Sequence, residues 1–177
     1  MKARKLAVLG GVVALSVIAF APAAGADVTV TGGILDFDPS GAPTIGNFQG
    51  VTLNGTPQLT SLTVDPFTIV DATGSAAGWN VLLTVPDFVN GSSTIAASNV
   101  SMTAPVVAAA GTSDITGVQG NDSAGNFGTG EKIVTASVGH GQGTYLVSPR
   151  ILKLTVPVTA LAGTYTSAAT IAVVSGP

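Results

Sequence analysis

The sequence contains no cysteine, one histidine and one tryptophan in 177 residues, and only 8% of it is charged. Without cysteine there is no disulfide and no thiolate chemistry, so the fold rests on its core and its hydrogen-bonded ladders. With a single imidazole, His140, zinc lacks a ligand set, and a nucleophilic hydrolase has one available base lying between glycines in Gly139–Gly143. No G-x-S-x-G elbow is present, and the plain reading of His140 is an exposed loop residue. Aromatic residues make up 5% of the chain, too few for a sugar groove lined with stacked rings. Cations are scarcer still. Of six, Lys2, Arg4 and Lys5 fall in the first five positions; from Asp27 onward Lys132, Arg150 and Lys153 face nine acids, a net charge of −6. So few cations exclude a nucleic-acid partner.

The segment that holds those first cations reads as an export signal. A basic start is followed by the apolar run Leu6–Phe20 and then by Ala21-Pro22-Ala23-Ala24-Gly25-Ala26, whose small residues at Ala24 and Ala26 suit signal peptidase. The run falls short of the roughly 20 residues that a membrane span needs. Residues 1–26 are therefore expected to be a signal peptide, and residues 27–177 a single domain of 151 residues. The expected location is secreted, extracellular or wall-associated, with no membrane span after cleavage.

Val, Thr, Ile, Leu, Gly, Ala and Ser dominate this stretch, and helix-favouring Lys, Glu, Arg and Gln are scarce. Short β-branched runs recur between Gly, Pro, Asn and Asp every eight to twelve residues or so, which predicts an all-β fold. The expected class is an immunoglobulin-like antiparallel β-sandwich of about eight or nine strands in two packed sheets. Val28–Thr31 is the expected opening strand, with Val28 and Val30 inward. Leu59–Val70 is extended but broken at Pro66. Trp79–Val85 is the clearest central strand, with Trp79, Val81, Leu83 and Val85 on one face. Ser93–Thr103, Ile133–Val138 and Thr144–Ser148 follow. Ile151–Val158 turns Leu152, Leu154, Val156 and Val158 inward, and Tyr165–Val173 buries Tyr165, Ala169, Ile171 and Val173. Asp36–Gly46, Ala104–Gly120 and Gly120–Gly130 read as loops, the last with few side chains that could pack.

Candidate chemistry is sparse. No pair among the eight Asp and one Glu stands out as acid and base, so an enzyme is not expected. Asp36-Phe37-Asp38-Pro39-Ser40-Gly41 spaces oxygens before a glycine as a calcium loop does, yet Asn47 occupies the twelfth position, and a solvated turn is the simpler reading. No metal or cofactor is expected. Asn54, Asn90, Asn99 and Asn121 each open an Asn-x-Ser/Thr triplet, which chance explains in so Thr- and Ser-rich a chain. Lys132 and Lys153 read as surface lysines rather than partners in an isopeptide bond.

The run from Thr68 to Val85, with Asp71 closing a strand, a glycine-containing turn and then Gly78-Trp79-Asn80-Val81, resembles the first signature of the WxL-domain cell-surface proteins of Gram-positive bacteria. Gly143–Val147, Leu152–Pro157, Ala162–Ser167 and the closing Val173–Pro177 are similar in order to the way secreted members end. Val81 stands where the motif has Leu, and Thr170–Val174, in the last strand, carries no second Trp. The resemblance implies a β-sandwich that associates noncovalently with peptidoglycan or another wall polymer, beside other surface proteins. Its candidate ligand-binding residues are Trp79, Asn80, Val81, Asp71 and Tyr165. Each aromatic has a second reading. Trp79 opening a central strand serves as a core anchor, burying about 150–250 Å², and Tyr165 is a core ring with its hydroxyl bonded at a corner or a stacking platform. A structural or adhesive module assembling with itself or another surface protein, through its sheet edges, is the alternative function.

Overall fold

The β-branched alternation folds as expected into antiparallel strands. The computed structural model describes residues 28–124 and 127–176. Its strands are β1 (Leu35–Phe37), β2 (Gln58–Val64), β3 (Phe67–Asp71), β4 (Trp79–Thr84), β5 (Phe88–Asn90), β6 (Ser93–Ile95), β7 (Val100–Met102), β8 (Val107–Ala110), β9 (Val118–Gly120), β10 (Ser123–Ala124), β11 (Glu131–Ala136), β12 (Gly143–Val147), β13 (Arg150–Val156) and β14 (Thr170–Ser175). Helix among the described residues is limited to three 3-10 turns, at Pro39–Gly41, Ala97–Asn99 and Phe127–Thr129. Among the described residues no helix is long and apolar enough to cross a membrane.

Among the described residues fourteen strands replace the eight or nine expected, because several are two to four residues long and too short to show an alternation. They form three four-stranded sheets, ordered β1-β3-β12-β8, β10-β7-β13-β2 and β14-β4-β11-β9, and a separate β5-β6 hairpin. Two prolines divide the first sheet from the second. Asp65-Pro66 separates β2 from β3, and Ser148-Pro149 separates β12 from β13. The two chains run side by side throughout, Gln58 opposite Val156 at one end and Asp71 opposite Gly143 at the other. Proline supplies no ladder N–H, so pairing breaks at both corners and the ribbon passes from one sheet into the next. The break at Pro66 was legible in the sequence.

One core lies between the sheets. Trp79, Val81, Leu83 and Val85 are buried, as the alternation along β4 predicts, and β4 is central between β14 and β11. On β11 two successive residues, Ile133 and Val134, are both buried, because a register shift between Lys132 and Val134 turns the extra residue inward. Leu152, Leu154 and Val156 face inward from β13.

Several expectations need correction. Val28–Thr31 forms no strand, and Val28 and Val30 are exposed rather than inward. Among the described residues the first backbone pairing is Gly33 N–H to Ala72 O, beyond the end of β3. Ala104–Gly120 is not a loop throughout: it contains β8, whose alanines pair with β12, and β9. Gly120–Gly130 contains β10 and the fully buried Phe127, whose carbonyl accepts from Val85 N–H at 2.9 Å. Residues 125 and 126 of that segment lie outside the described residues. Pro157 ends β13 early, so Val158 is exposed. The last strand begins at Thr170 rather than Tyr165, and Tyr165, Ala169, Ile171 and Val173 are half-buried.

Candidate binding surfaces

The residues singled out from the sequence separate into two places. Trp79 and Val81 are fully enclosed in β4. The Trp79 indole donates to Gly141 O at 2.9 Å and tilts against the Tyr145 ring, centroid to centroid 5.6 Å. Gly141 makes this approach possible. It has a φ of +88°, and a Cβ there would lie 2.6 Å from Trp79 Nε1. Asn80 is also buried; its amide donates to Gly176 O at 2.6 Å, while Oδ1 has no partner among the described residues. The Asp71 carboxylate, buried at the end of β3, accepts from Thr73 N–H at 3.0 Å and Thr73 Oγ1 at 2.6 Å, closing the turn toward Trp79. These four groups are committed to the fold and present almost no surface to a ligand.

Tyr145 belongs with them, although only its place in the similar C-terminal pattern drew attention to it. It is fully buried and its single O–H is shared between the carbonyls of Asp114, at 2.8 Å, and Gln142, at 3.0 Å. Burial, reinforced by the negative charges of Asp114 and Asp71, raises its phenol above the ordinary value of 10.0. The signal was available, since Tyr145 and Val147 share one face of β12.

Tyr165 lies elsewhere, on an open cleft of about 930 Å³. Buried Leu62, Val85, Phe88, Leu152 and Leu154 form its floor. One wall is Gly50–Leu53. The other is the strap Ala160–Ala169, tied to the β5-β6 hairpin by reciprocal Val89–Thr166 backbone bonds of 2.9 and 3.0 Å and by Ser167 Oγ donating to Pro86 O at 2.6 Å. The Tyr165 hydroxyl meets Ser93 Oγ at 2.7 Å and accepts from Leu161 N–H at 3.0 Å. Among the described residues no charged side chain lines this cleft.

A smaller hollow of about 500 Å³ opens beside the outer face of the second sheet. There Thr44–Asn47 run along β2, with Gly46 N–H donating to Thr63 O at 3.1 Å and Asp65 N–H to Thr44 O at 3.0 Å. The hollow is lined by Thr44, Asn47, Ser61, Thr63, Asp65 and the exposed Ile151. Thr44 Oγ1 donates to the Asp65 carboxylate. On the same face Lys153 lies between Ser61 and Ser101 in cross-strand register.

The remaining candidates are local. Asp36 accepts from Phe37 N–H at 2.7 Å, and Asp38 from Ser40 N–H and Oγ at 2.8 and 2.6 Å, bonds that hold the Asp38 carboxyl below its usual range. No group of three or more His, Asp or Glu side chains is placed to hold a metal among the described residues. His140 is half-buried rather than exposed, with its ring against Gly117. No hydroxyl of a described residue is hydrogen-bonded to that ring. The Asp114 carboxyl is held below its ordinary value by the Thr116 backbone N–H, then by the Thr116 side chain, and more weakly by His140.

No family model, curated protein or solved structure matches this chain.

Proposed function

We propose that this chain is an exported, noncatalytic cell-surface module that associates noncovalently with peptidoglycan. The observation that supports this best is the polar hollow beside β2. Its hydroxyls, the Asn47 amide and the Asp65 carboxylate supply short donors and acceptors for sugar hydroxyls and N-acetyl amides, and Ile151 supplies an apolar contact for a sugar face. Lys153 nearby suits a stem-peptide carboxylate. The resemblance to WxL-domain proteins agrees with this reading, although Trp79, Asn80, Val81 and Asp71 would then act by shaping the fold and not by touching the wall.

The test is co-sedimentation of the chain with protein-free Gram-positive cell walls. Saturable binding is expected, weakened at least about fivefold in Asn47→Ala/Ile151→Asp with thermal stability unchanged, since both side chains are exposed. A folded protein that fails to sediment with walls overturns the reading. A second reading, a structural or adhesive module that assembles with itself or another surface protein, is favoured by the uncharged cleft above Leu152 and Leu154.

A further inference from the structure

The cleft is an opening into the core. Its floor consists of inward-facing residues of β2 and β13 continued by Val85 and Phe88, and its two walls are unladdered: Gly50–Leu53 and Ala162–Thr164 make no hydrogen bond to a described residue. Apolar floor between unpaired backbone on two sides is the arrangement an added strand completes, the ladder supplying affinity and alternate side chains filling the floor. The same chain carries an unused strand. Val28-Thr29-Val30-Thr31 alternates apolar and hydroxyl residues, belongs to no sheet, and leaves Val28 85% and Val30 87% exposed.

We propose that Val28–Thr31 of one copy enters the cleft of a second copy as an added strand, with Val28 and Val30 against Leu152 and Leu154 and the backbone bonded to the cleft walls. Charge agrees on both sides. Among the described residues the cleft lining has no ionisable group except the Tyr165 phenol, and from Val28 to Leu35 the donor segment has none. Chain reach decides that the acceptor is a second copy. Gly33, bonded to Ala72, lies at the end of the sheets where β3 finishes and β4 begins at Trp79, whereas the cleft opens at the Val85 end. Six strand steps, about 20 Å, separate these ends, and the five steps back from Gly33 to Val28 span at most about 17 Å. Each copy then offers one donor and one acceptor. Such a contact is heterologous and propagates head to tail, into a ring where its rotation closes and an open fibre where it does not. This inference rests on the self-assembly reading and on export with cleavage near Ala26.

The experiment uses the chain recovered from an exporting host, its N-terminus read by mass spectrometry, in sedimentation velocity from about 5 to about 200 µM. A concentration-dependent series of oligomers is expected for the wild type. Val28→Asp/Val30→Asp removes the donor and Val51→Asp/Leu161→Asp blocks the acceptor; all four side chains are exposed, so both variants keep the fold. Each variant alone is expected to be monomeric, and an equimolar mixture to form a one-to-one dimer and nothing larger. A labelled peptide of residues 27–33 is expected to bind the donor variant and to bind the acceptor-blocked variant at least about tenfold more weakly, an arm independent of leader cleavage. A monomeric wild type, a donor variant that assembles like wild type, or a mixture that stays monomeric overturns the proposal. Wall co-sedimentation of the monomeric variants separates the two ideas, because retained binding leaves the wall reading standing when assembly fails.

Discussion

Trp79 is held by three things that size alone does not supply: the Tyr145 ring beside it, the Gly141 carbonyl on its indole N–H, and a glycine backbone where any Cβ would collide. Trp79→Ala removes the largest enclosed side chain of the core and is expected to cost about 3–5 kcal/mol, measured by urea unfolding, because the surrounding strands cannot close the void. Tyr145 makes the matching polar statement. Tyr145→Phe strands two carbonyl acceptors and is expected to cost about 1–2 kcal/mol near neutral pH. It also changes the alkaline limb. The phenol's folded pKa is raised, so its stabilisation is complete below the unfolded value of 10.0 and is lost as pH climbs through the folded value. Wild-type urea midpoints should therefore fall above about pH 10, and the fall should be shallower in Tyr145→Phe.

Among the elements, the strap over the cleft has the least regular support. Its fastenings are one two-way backbone bridge and side-chain hydroxyls, chiefly that of Tyr165. Tyr165→Phe keeps the half-buried ring and deletes the hydroxyl, so the Leu161 amide loses its acceptor. Its hydrogen exchange should quicken by about tenfold while global stability drops by no more than about 1 kcal/mol. An equal loss at every amide would mean that the strap opens only with the whole fold. The β2–β3 and β12–β13 ribbons show how much of an element is readable in advance. Pro66 marks its corner in the sequence, but the matching corner at Pro149 becomes meaningful only once Val64 lies opposite Arg150 and Phe67 opposite Val147.

For the molecule as a whole, charge is the controlling simplicity. From Asp27 onward only three cations are present, and Lys153 is the one on the proposed wall face. One exposed ion pair contributes at most about 1 kcal/mol. Wall binding should thus weaken by less than about fivefold between 0.1 and 1 M salt. A steeper loss in the sedimentation assay would show that general electrostatics, and not the hydroxyl-lined hollow, governs attachment.

Composition and period were enough to determine the all-β class, the inward face of β4 and β13, and the break at Pro66, because each depends on neighbours two residues apart or on one residue's own backbone chemistry. Short strands such as β8 and β10 escaped, since an alternation over two to four residues carries no period. Only the tertiary structure decided that four of the five candidate ligand residues are interior. A Trp, an Asn and an Asp look alike in sequence whether they bind a ligand or close a turn, and burial separates the two. The cleft and the hollow were likewise invisible. Each joins segments about a hundred residues apart, and it is the partner a strand lacks, as Val28–Thr31 lacks one among the described residues, that only the assembled sheets can reveal.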